Sequence, residues 1–342
     1  MRSILVTGGA GFIGSHFVRA FMRRHRECDV HVLDALTYAG DLDNLPPNIV
    51  DHPRFQFWYG NVCDAEVVGE VMQKVDTVIH FAAESHVARS IASNRKFYET
   101  DVMGTQVVAS QVLKYHRRIK RFVHISTSEV YGTALTEPMA EDHPLMPNSP
   151  YASAKCGADR LAYSYWRTYG IPAVIIRPFN QYGPSQHLEK CIPRFITSAL
   201  TNRLITLHGD GTAARDWCYV TDTCQALLSA LEAPLDAVVG EVINLGTGVP
   251  TDVQTISRKI LERIPSSRSE TEHIYNRPGQ VDLHVSSTTK ARRLLGWEAT
   301  TDLDTGLDRT LEWYRENEAW WRKREWIAQV PIETPSSKVV YH

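Results

Sequence analysis

Along the first half of the chain, short runs of apolar and β-branched residues alternate with longer segments whose apolar positions recur at helical spacing. Residues 4–7, 30–34, 55–59, 77–82, 121–126 and 173–177 have the length and composition of strands. Residues 12–24, 64–74, 95–118 and 150–169 carry the helical period between them. Strand and helix in strict alternation predict βαβ units, and so a doubly wound parallel sheet covered on both faces. From about residue 178 the pattern loosens into loops rich in Pro, Gly and Asn with interspersed helices, with no repeat and no low-complexity tether. This predicts an α/β protein of two lobes. A doubly wound domain is expected over 1–177 and 217–246, a smaller mixed α/β lobe over 178–216 and 247–330, and a tail over 331–342.

Charge narrows the function. With 37 basic against 39 acidic residues the net charge is -2, which argues against a nucleic-acid partner. No run approaches the roughly 20 apolar residues of a membrane span. The opening I-L-V-T-G-G leaves no room for a signal peptide, so a cytoplasmic protein is expected. Six scattered cysteines without C-x-x-C read as reduced, packed thiols, and 14 histidines without ligand spacing predict no metal. The basic stretch K-Y-H-R-R-I-K-R (114–121) reads as a solvated helix end complementing the helix dipole rather than a phosphate patch. The tryptophan-rich stretch 313–326 reads as an amphipathic packing helix.

Two constellations carry chemistry. The loop G-G-A-G-F-I-G (8–14) lies between the first strand and an amphipathic helix, with Gly8, Gly11 and Gly14 flanking Phe12 and Ile13. Such a loop lets backbone amides and a helix N-terminus approach a pyrophosphate, the Rossmann dinucleotide arrangement. Asp34 ends the second strand 20 residues past Gly14, placed to accept from an adenosine ribose. A carboxylate there repels a 2′-phosphate, and A-L-T-Y-A-G beyond it supplies no arginine, so NAD is expected rather than NADP. The second constellation is Y-A-S-A-K, in which Tyr151 and Lys155 share a helix face. A nearby cation would lower the phenol toward the range of a general base.

These motifs, with A-A-E-S-H-V-A-R-S-I (82–91), S-T-S-E-V-Y-G (126–132), R-P-F-N-Q-Y-G-P (177–184), G-D-G-T-A-A-R-D-W-C-Y-V-T-D (209–222) and R-P-G-Q-V-D (277–282), resemble the extended short-chain dehydrogenase/reductases over nearly the whole chain. Within that family they resemble the nucleotide-sugar 4,6-dehydratases, especially the dTDP-glucose branch. The resemblance implies NAD across Gly8, Gly11 and Gly14, with Asp34 on the ribose, Asn61 and Val62 near the adenine, Ala82 and Ala83 along the dinucleotide, and Lys155 on the nicotinamide ribose. It implies Tyr151 as the base for the sugar 4-hydroxyl, assisted by Thr127, and Glu129 as the base for the C5 proton.

Departures matter. The dTDP-glucose branch carries aspartate where this chain has Ser128, a poor acid for a departing 6-hydroxyl. Either Glu129 serves as base and acid in turn, or C6 loses something else. The resemblance offers both precedents: GDP-mannose and GDP-N-acetylglucosamine 4,6-dehydratases carry Ser-Glu here, and so do UDP-glucuronate decarboxylases; 4-epimerisation and 5,6-dehydration are further alternatives. Ala88, Asp101 and Asn61 replace the usual aspartate, asparagine and aspartate. Asn180, Lys190, Arg215 and Arg277 are the expected diphosphate contacts, with Ser85 and His86 facing the cleft. A dinucleotide-binding regulator without catalysis would have little use for Thr127, Glu129, Tyr151 and Lys155 together. The resemblance also implies a homodimer through the helices near 97–116 and 150–169.

Overall fold

A computed structural model describes residues 1–325, 330–333 and 339–341. Strands β1 (Ser3–Thr7), β2 (Asp29–Asp34), β3 (Phe55–Tyr59), β4 (Thr77–His80), β5 (Arg121–Ile125) and β6 (Ala173–Pro178) form in chain order. The chain then leaves for β7 (Asn180–Tyr182), β8 (Ile205–His208) and β9 (Ala214–Tyr219), and returns as β10 (Val242–Leu245). The main sheet is parallel throughout and ordered β10-β6-β5-β4-β1-β2-β3. Strands β1, β4, β5 and β6 are buried at every residue, because helices cover both faces. The order reverses between β1 and β4, and this opens a crevice beyond their carboxyl ends.

Local chemistry sets the helices that matter. Phe12–Arg24 buries Phe17, Val18, Phe21 and Met22 against the sheet and ends on Arg23 and Arg24. Pro150–Tyr169 starts with Ser149 accepting from the Ala152 amide at 3.2 Å and with Pro150 in its first turn. It ends at Gly170, whose left-handed φ of 69° favours glycine. The pattern at 95–118 is not one regular helix: Tyr98–Met103 forms a π-helical turn before Gly104–Lys114. Strand β4 stops at His80 rather than continuing to residue 82, since Phe81 and Ala82 turn to donate to the Thr7 carbonyl and hydroxyl.

The second lobe has a three-stranded sheet ordered β11-β9-β7, with β11 spanning Pro250–Asp252, and a parallel pair of β8 with β12 (Thr271–Ile274). Its core joins Tyr182, Phe195, Trp217, Leu311 and Trp321. Strand β9 belongs to this lobe to its last residue, Tyr219, beyond the expected crossing at 217. Helix Thr289–Leu295 and Trp297, expected in the second lobe, instead bury Ala291 and the indole against the first lobe's core. Within the tryptophan-rich stretch Trp321 is buried and Trp313 meets Trp320 edge-on; Trp326 lies outside the described residues. Of the expected tail, β13 (Pro331–Glu333) pairs with β14 (Val339–Tyr341), and 334–338 and 342 lie outside the described residues. The basic run ends inward: Arg121 is buried and donates to the Ala230 and Ala233 carbonyls at the end of helix Val220–Glu232.

One buried ion pair fixes the helix Pro150–Tyr169 to the sheet. Arg177 of β6 grips Asp159 with Nε at 2.9 Å and Nη2 at 3.0 Å, while its Nη1 donates to the Tyr131 hydroxyl at 2.8 Å. Burial works to raise the Asp159 carboxyl, but Arg177 prevails and holds it well below the ordinary carboxylate range. A depressed native value stabilises the fold at pH above the unfolded pKa of about 3.9, and the contribution fades as pH falls toward the native one. Arg177→Met leaves the buried Asp159 with only the partly exposed Arg160 as an ion-pair partner, and should lower unfolding stability by about 3 kcal/mol in a denaturant titration. A change below about 1 kcal/mol would mean that the pair is dispensable.

Candidate active site

Every residue singled out from the sequence for cofactor, sugar or diphosphate lines one cleft beyond the carboxyl ends of β1, β4 and β5. The cleft holds about 480 Å³, within the roughly 300–1,000 Å³ of small-molecule sites.

At one end lies the glycine loop. Gly8 has φ +68°, and a Cβ there would stand 2.6 Å from the Ala82 amide nitrogen. A Cβ on Gly14 would stand 2.2 Å from the Gly8 carbonyl oxygen. The loop is therefore pressed against β4's extension and against its own helix, leaving a side-chain-free cradle that fits a dinucleotide pyrophosphate. Asp34 holds the cradle as well as facing the cleft: its carboxylate accepts from the Ala10 and Leu36 amides, each at 2.9 Å. Gly40 packs where a Cβ would meet Asp34 Oδ1 at 2.7 Å, so the chain past Asp34 folds back over it. Val62 is buried, and the exposed Asn61 turns its side chain onto the Cys63 amide at 2.9 Å.

At the other end, Thr127 closes β5 and caps a short 3-10 turn, Ser128–Tyr131, accepting from the Glu129 amide at 3.2 Å. Tyr151 lines the cleft with this turn, and the Thr127 hydroxyl favours its ionised form. Lys155 is buried and donates to the Ile125 carbonyl at 2.8 Å. The expected acidification of the phenol by Lys155 is not what the geometry gives. Burial, and then the Asp101 carboxylate, raise the Tyr151 pKa, with Glu129 adding to them and only the Thr127 hydrogen bond opposing. The π-helical turn explains Asp101: it swings the carboxyl inward, where Oδ1 accepts from the Glu84 amide at 2.8 Å and Oδ2 is buried without a partner. Burial raises Asp101 to about 7 against the pull of Lys155.

The pocket's far wall is cationic. Burial works to raise Glu129, but His284, Arg215, Arg277 and Lys190 outweigh it, and the carboxyl lies below its ordinary value. Arg277 is pushed down to about 10 by burial, and its Nε has no acceptor within the protein. A buried guanidinium nitrogen aimed at a cleft with two further cations suits a diphosphate. Lys190 Nζ is anchored on the Ser85 carbonyl at 2.7 Å, and Asn180 sits on β7 beside it in the cleft wall. His86 is a helix cap: Nδ1 accepts from the Arg89 amide at 3.2 Å, and burial pushes the imidazole down to about 2, so it faces the cleft neutral.

The sequence reading missed several residues. His284 hydrogen-bonds Ser128, with Nδ1 3.2 Å from Oγ. It sits seven residues past Arg277, with no spacing relation to S-T-S-E. Glu189 anchors the Tyr38 hydroxyl at 3.1 Å, while the Arg89 guanidinium lies 4.0 Å above the Tyr38 ring. Trp320, on helix Glu318–Arg322, and Arg324, in the turn after it, line the cleft, and Arg324 pairs with Asp41.

Residues 5–310 match the GDP-mannose 4,6 dehydratase family. The chain is 41% identical over 322 residues to a dTDP-glucose 4,6-dehydratase of Streptomyces niveus, covering 93% of this chain and 94% of that one. It is likewise 41% identical over 311 residues to the low-salt glycan biosynthesis protein Agl12 of Haloferax volcanii, covering 91% and 98%. Among solved structures, DesIV of Streptomyces venezuelae, a dTDP-glucose 4,6-dehydratase crystallised with NAD, superposes with a TM-score of 0.88 at 39% identity, covering 94% of this chain and 99% of that one.

Because ionised Asp101 opposes the Tyr151 phenolate, Asp101→Asn should let the phenol titrate at lower pH. The limb of the pH–rate profile that rises with phenolate formation, followed as reduction of added NAD by a sugar nucleotide, should therefore move to lower pH. An unmoved limb would mean that Asp101 is neutral throughout turnover.

Proposed function

This chain belongs to the GDP-mannose 4,6 dehydratase family, among the extended short-chain dehydrogenase/reductases, and from that premise we propose how its cleft turns a nucleotide-diphosphate hexose into the 4-keto-6-deoxy sugar. The enzyme is an NAD-dependent nucleotide-sugar 4,6-dehydratase, a hydro-lyase. The observation that carries our assignment of roles is the placement of Glu129 two residues from Thr127, across from Tyr151, under three cations.

Gly8, Gly11 and Gly14 would hold the NAD pyrophosphate, Asp34 the adenosine ribose and Lys155 the nicotinamide ribose. When bound, NAD would supply a hydride acceptor for C4, a hydride donor for C6 and a positive charge to the site. Tyr151 takes the 4-hydroxyl proton, and Thr127 bridges phenol and substrate oxygen. Oxidation at C4 acidifies C5–H. Glu129, ionised because the surrounding cations hold its carboxyl down, removes that proton. Ser128, an aliphatic hydroxyl, is a poor acid for the departing 6-hydroxyl. Glu129, protonated by its first task, is left to protonate the departing oxygen. Arg215, Arg277 and Lys190, with Asn180, would hold the diphosphate.

We take dTDP-glucose as the first substrate to test, in view of the Streptomyces relatives. We place the reaction in the cytoplasm, in keeping with six unpaired thiols. No described helix is long and apolar enough to cross a membrane. We also propose a homodimer through the helices Gly104–Lys114 and Pro150–Tyr169, whose neighbourhood leaves Tyr98, Met103 and Tyr169 exposed. Sedimentation should give twice the 38.7 kDa chain mass, and a monomer at micromolar concentration would refute that packing.

Incubation with dTDP-glucose, UDP-glucose, GDP-mannose, UDP- and GDP-N-acetylglucosamine and UDP-glucuronate should give loss of water from a neutral sugar by mass spectrometry. Loss of carbon dioxide from UDP-glucuronate alone would overturn the dehydratase chemistry. Glu129→Gln should reduce NAD yet release no dehydrated sugar, with turnover lowered at least about a hundredfold. Normal product formation by that variant would remove Glu129 from the C5 step.

A further inference from the structure

Resting on the dehydratase reading, we infer that His284 is a positioning residue for elimination: it fixes the Ser128 hydroxyl so that a lone pair, and not its proton, faces the 6-hydroxyl of the sugar. Ser128 and His284 are both buried, at 2% and 0% exposure, so no water competes for their hydrogen bond. Ser128 Oγ lies 3.2 Å from His284 Nδ1, and His284 Nε2 lies 2.8 Å from the Gly132 carbonyl oxygen. A carbonyl only accepts, so Nε2 carries the imidazole hydrogen and Nδ1 presents its lone pair. The Ser128 proton therefore points to His284.

The anchor is rigid. Gly132 has φ +69°, and a Cβ there would stand 2.1 Å from the Met146 carbonyl oxygen, so its carbonyl direction is set by close backbone packing. The His284 amide donates to the Ala214 carbonyl at 3.1 Å, and the Phe179 ring meets the imidazole edge-on at 5.9 Å between centroids. Burial pushes the imidazole down to about 4, Glu129 working against this and Arg215 with it. It stays neutral near pH 7 and is no proton reservoir.

A serine whose only proton is engaged can accept but not donate. The sugar 6-hydroxyl then donates its own hydrogen to Ser128, which turns an oxygen lone pair toward Glu129. During elimination the C5–H bond breaks, its proton passes to the Glu129 carboxylate, and its electron pair forms the C5=C6 bond. The C6–O6 bond breaks as Glu129 returns that same proton to O6. Water leaves, Glu129 is again a carboxylate, and Ser128 and His284 end as they began.

The test is single-turnover kinetics on the NAD-loaded enzyme, with C4 oxidation read by nicotinamide absorbance and water loss by mass spectrometry. His284→Leu should slow water loss by about a hundredfold while changing C4 oxidation less than about twofold. His284→Asn, whose Oδ1 can accept where Nδ1 did, should recover most of the loss. In the Ser128→Ala background the leucine change should add little, since its effect runs through that hydroxyl. Three results would overturn the inference: wild-type water loss in His284→Leu, an undiminished further loss in the Ser128→Ala background, or both half-reactions failing in the leucine and asparagine variants alike. If the unmodified enzyme eliminates water from no sugar nucleotide, the dehydratase reading itself falls and takes this role with it.

Discussion

The Arg177–Asp159 pair sits at 1% and 0% exposure where three parts of the molecule meet: strand β6, the helix Pro150–Tyr169 and the turn Ser128–Tyr131. Two charges removed from water require each other, because either one left alone carries the whole desolvation cost. The guanidinium also takes the Tyr131 hydroxyl, which in turn donates to Asn244 on β10 at 2.7 Å. The helix Pro150–Tyr169 and the Ser-Glu turn are therefore referenced to one point in the sheet. Tyr151 lies two turns before Asp159 on that helix, and Glu129 two residues before Tyr131 on that turn. Their separation is set by a charge pair that touches no substrate.

The cleft divides its electrostatic labour. Around Tyr151 and Asp101 burial dominates, and the acids are held toward their neutral forms. Around Glu129 cations dominate, and the acid is held ionised. Two proton acceptors on neighbouring elements thus differ in readiness because of where the basic residues stand. Arg215 comes from β9, Arg277 from the loop after β12, and Lys190 from the start of helix Cys191–Leu200. All three belong to the second lobe. Thr127, Glu129, Tyr151 and Lys155 stand on the Rossmann half of the cleft, and the returning segments supply the field that lowers Glu129.

What could be read from the sequence follows the range of the interactions. Helices 12–24 and 150–169 and strand 55–59 fall within their expected bounds, because apolar spacing, Ser149-Pro150 and Gly170 are local signals. The glycine loop, Asp34, Tyr151 and Lys155, singled out from equally local signals, all line the cleft. The π-helical turn at Tyr98–Met103 was not legible, since its residues have an ordinary helical pattern and only packing against Pro150–Tyr169 distinguishes them. Nor was His284, which reaches Ser128 across 156 residues through the pairing of Leu283 with Ala214. The lobe boundary was misplaced at 289–299 because a short amphipathic helix does not announce which of two cores it will cover.

The π-helical turn also bears on how such a site arises. Each residue of an α-helix advances the face by about 100°, so one additional residue rephases everything after it. Upstream, Phe97 stays in the small cluster with Tyr151; downstream, Val108, Ala109 and Val112 stay in the sheet's core; the surplus is absorbed between them and turns Asp101 inward. A single-codon insertion into an ancestral helix can thus re-aim one side chain while leaving both flanking contacts in register. New chemistry can enter an old scaffold through a local change in winding, with no strand moved and no core rebuilt.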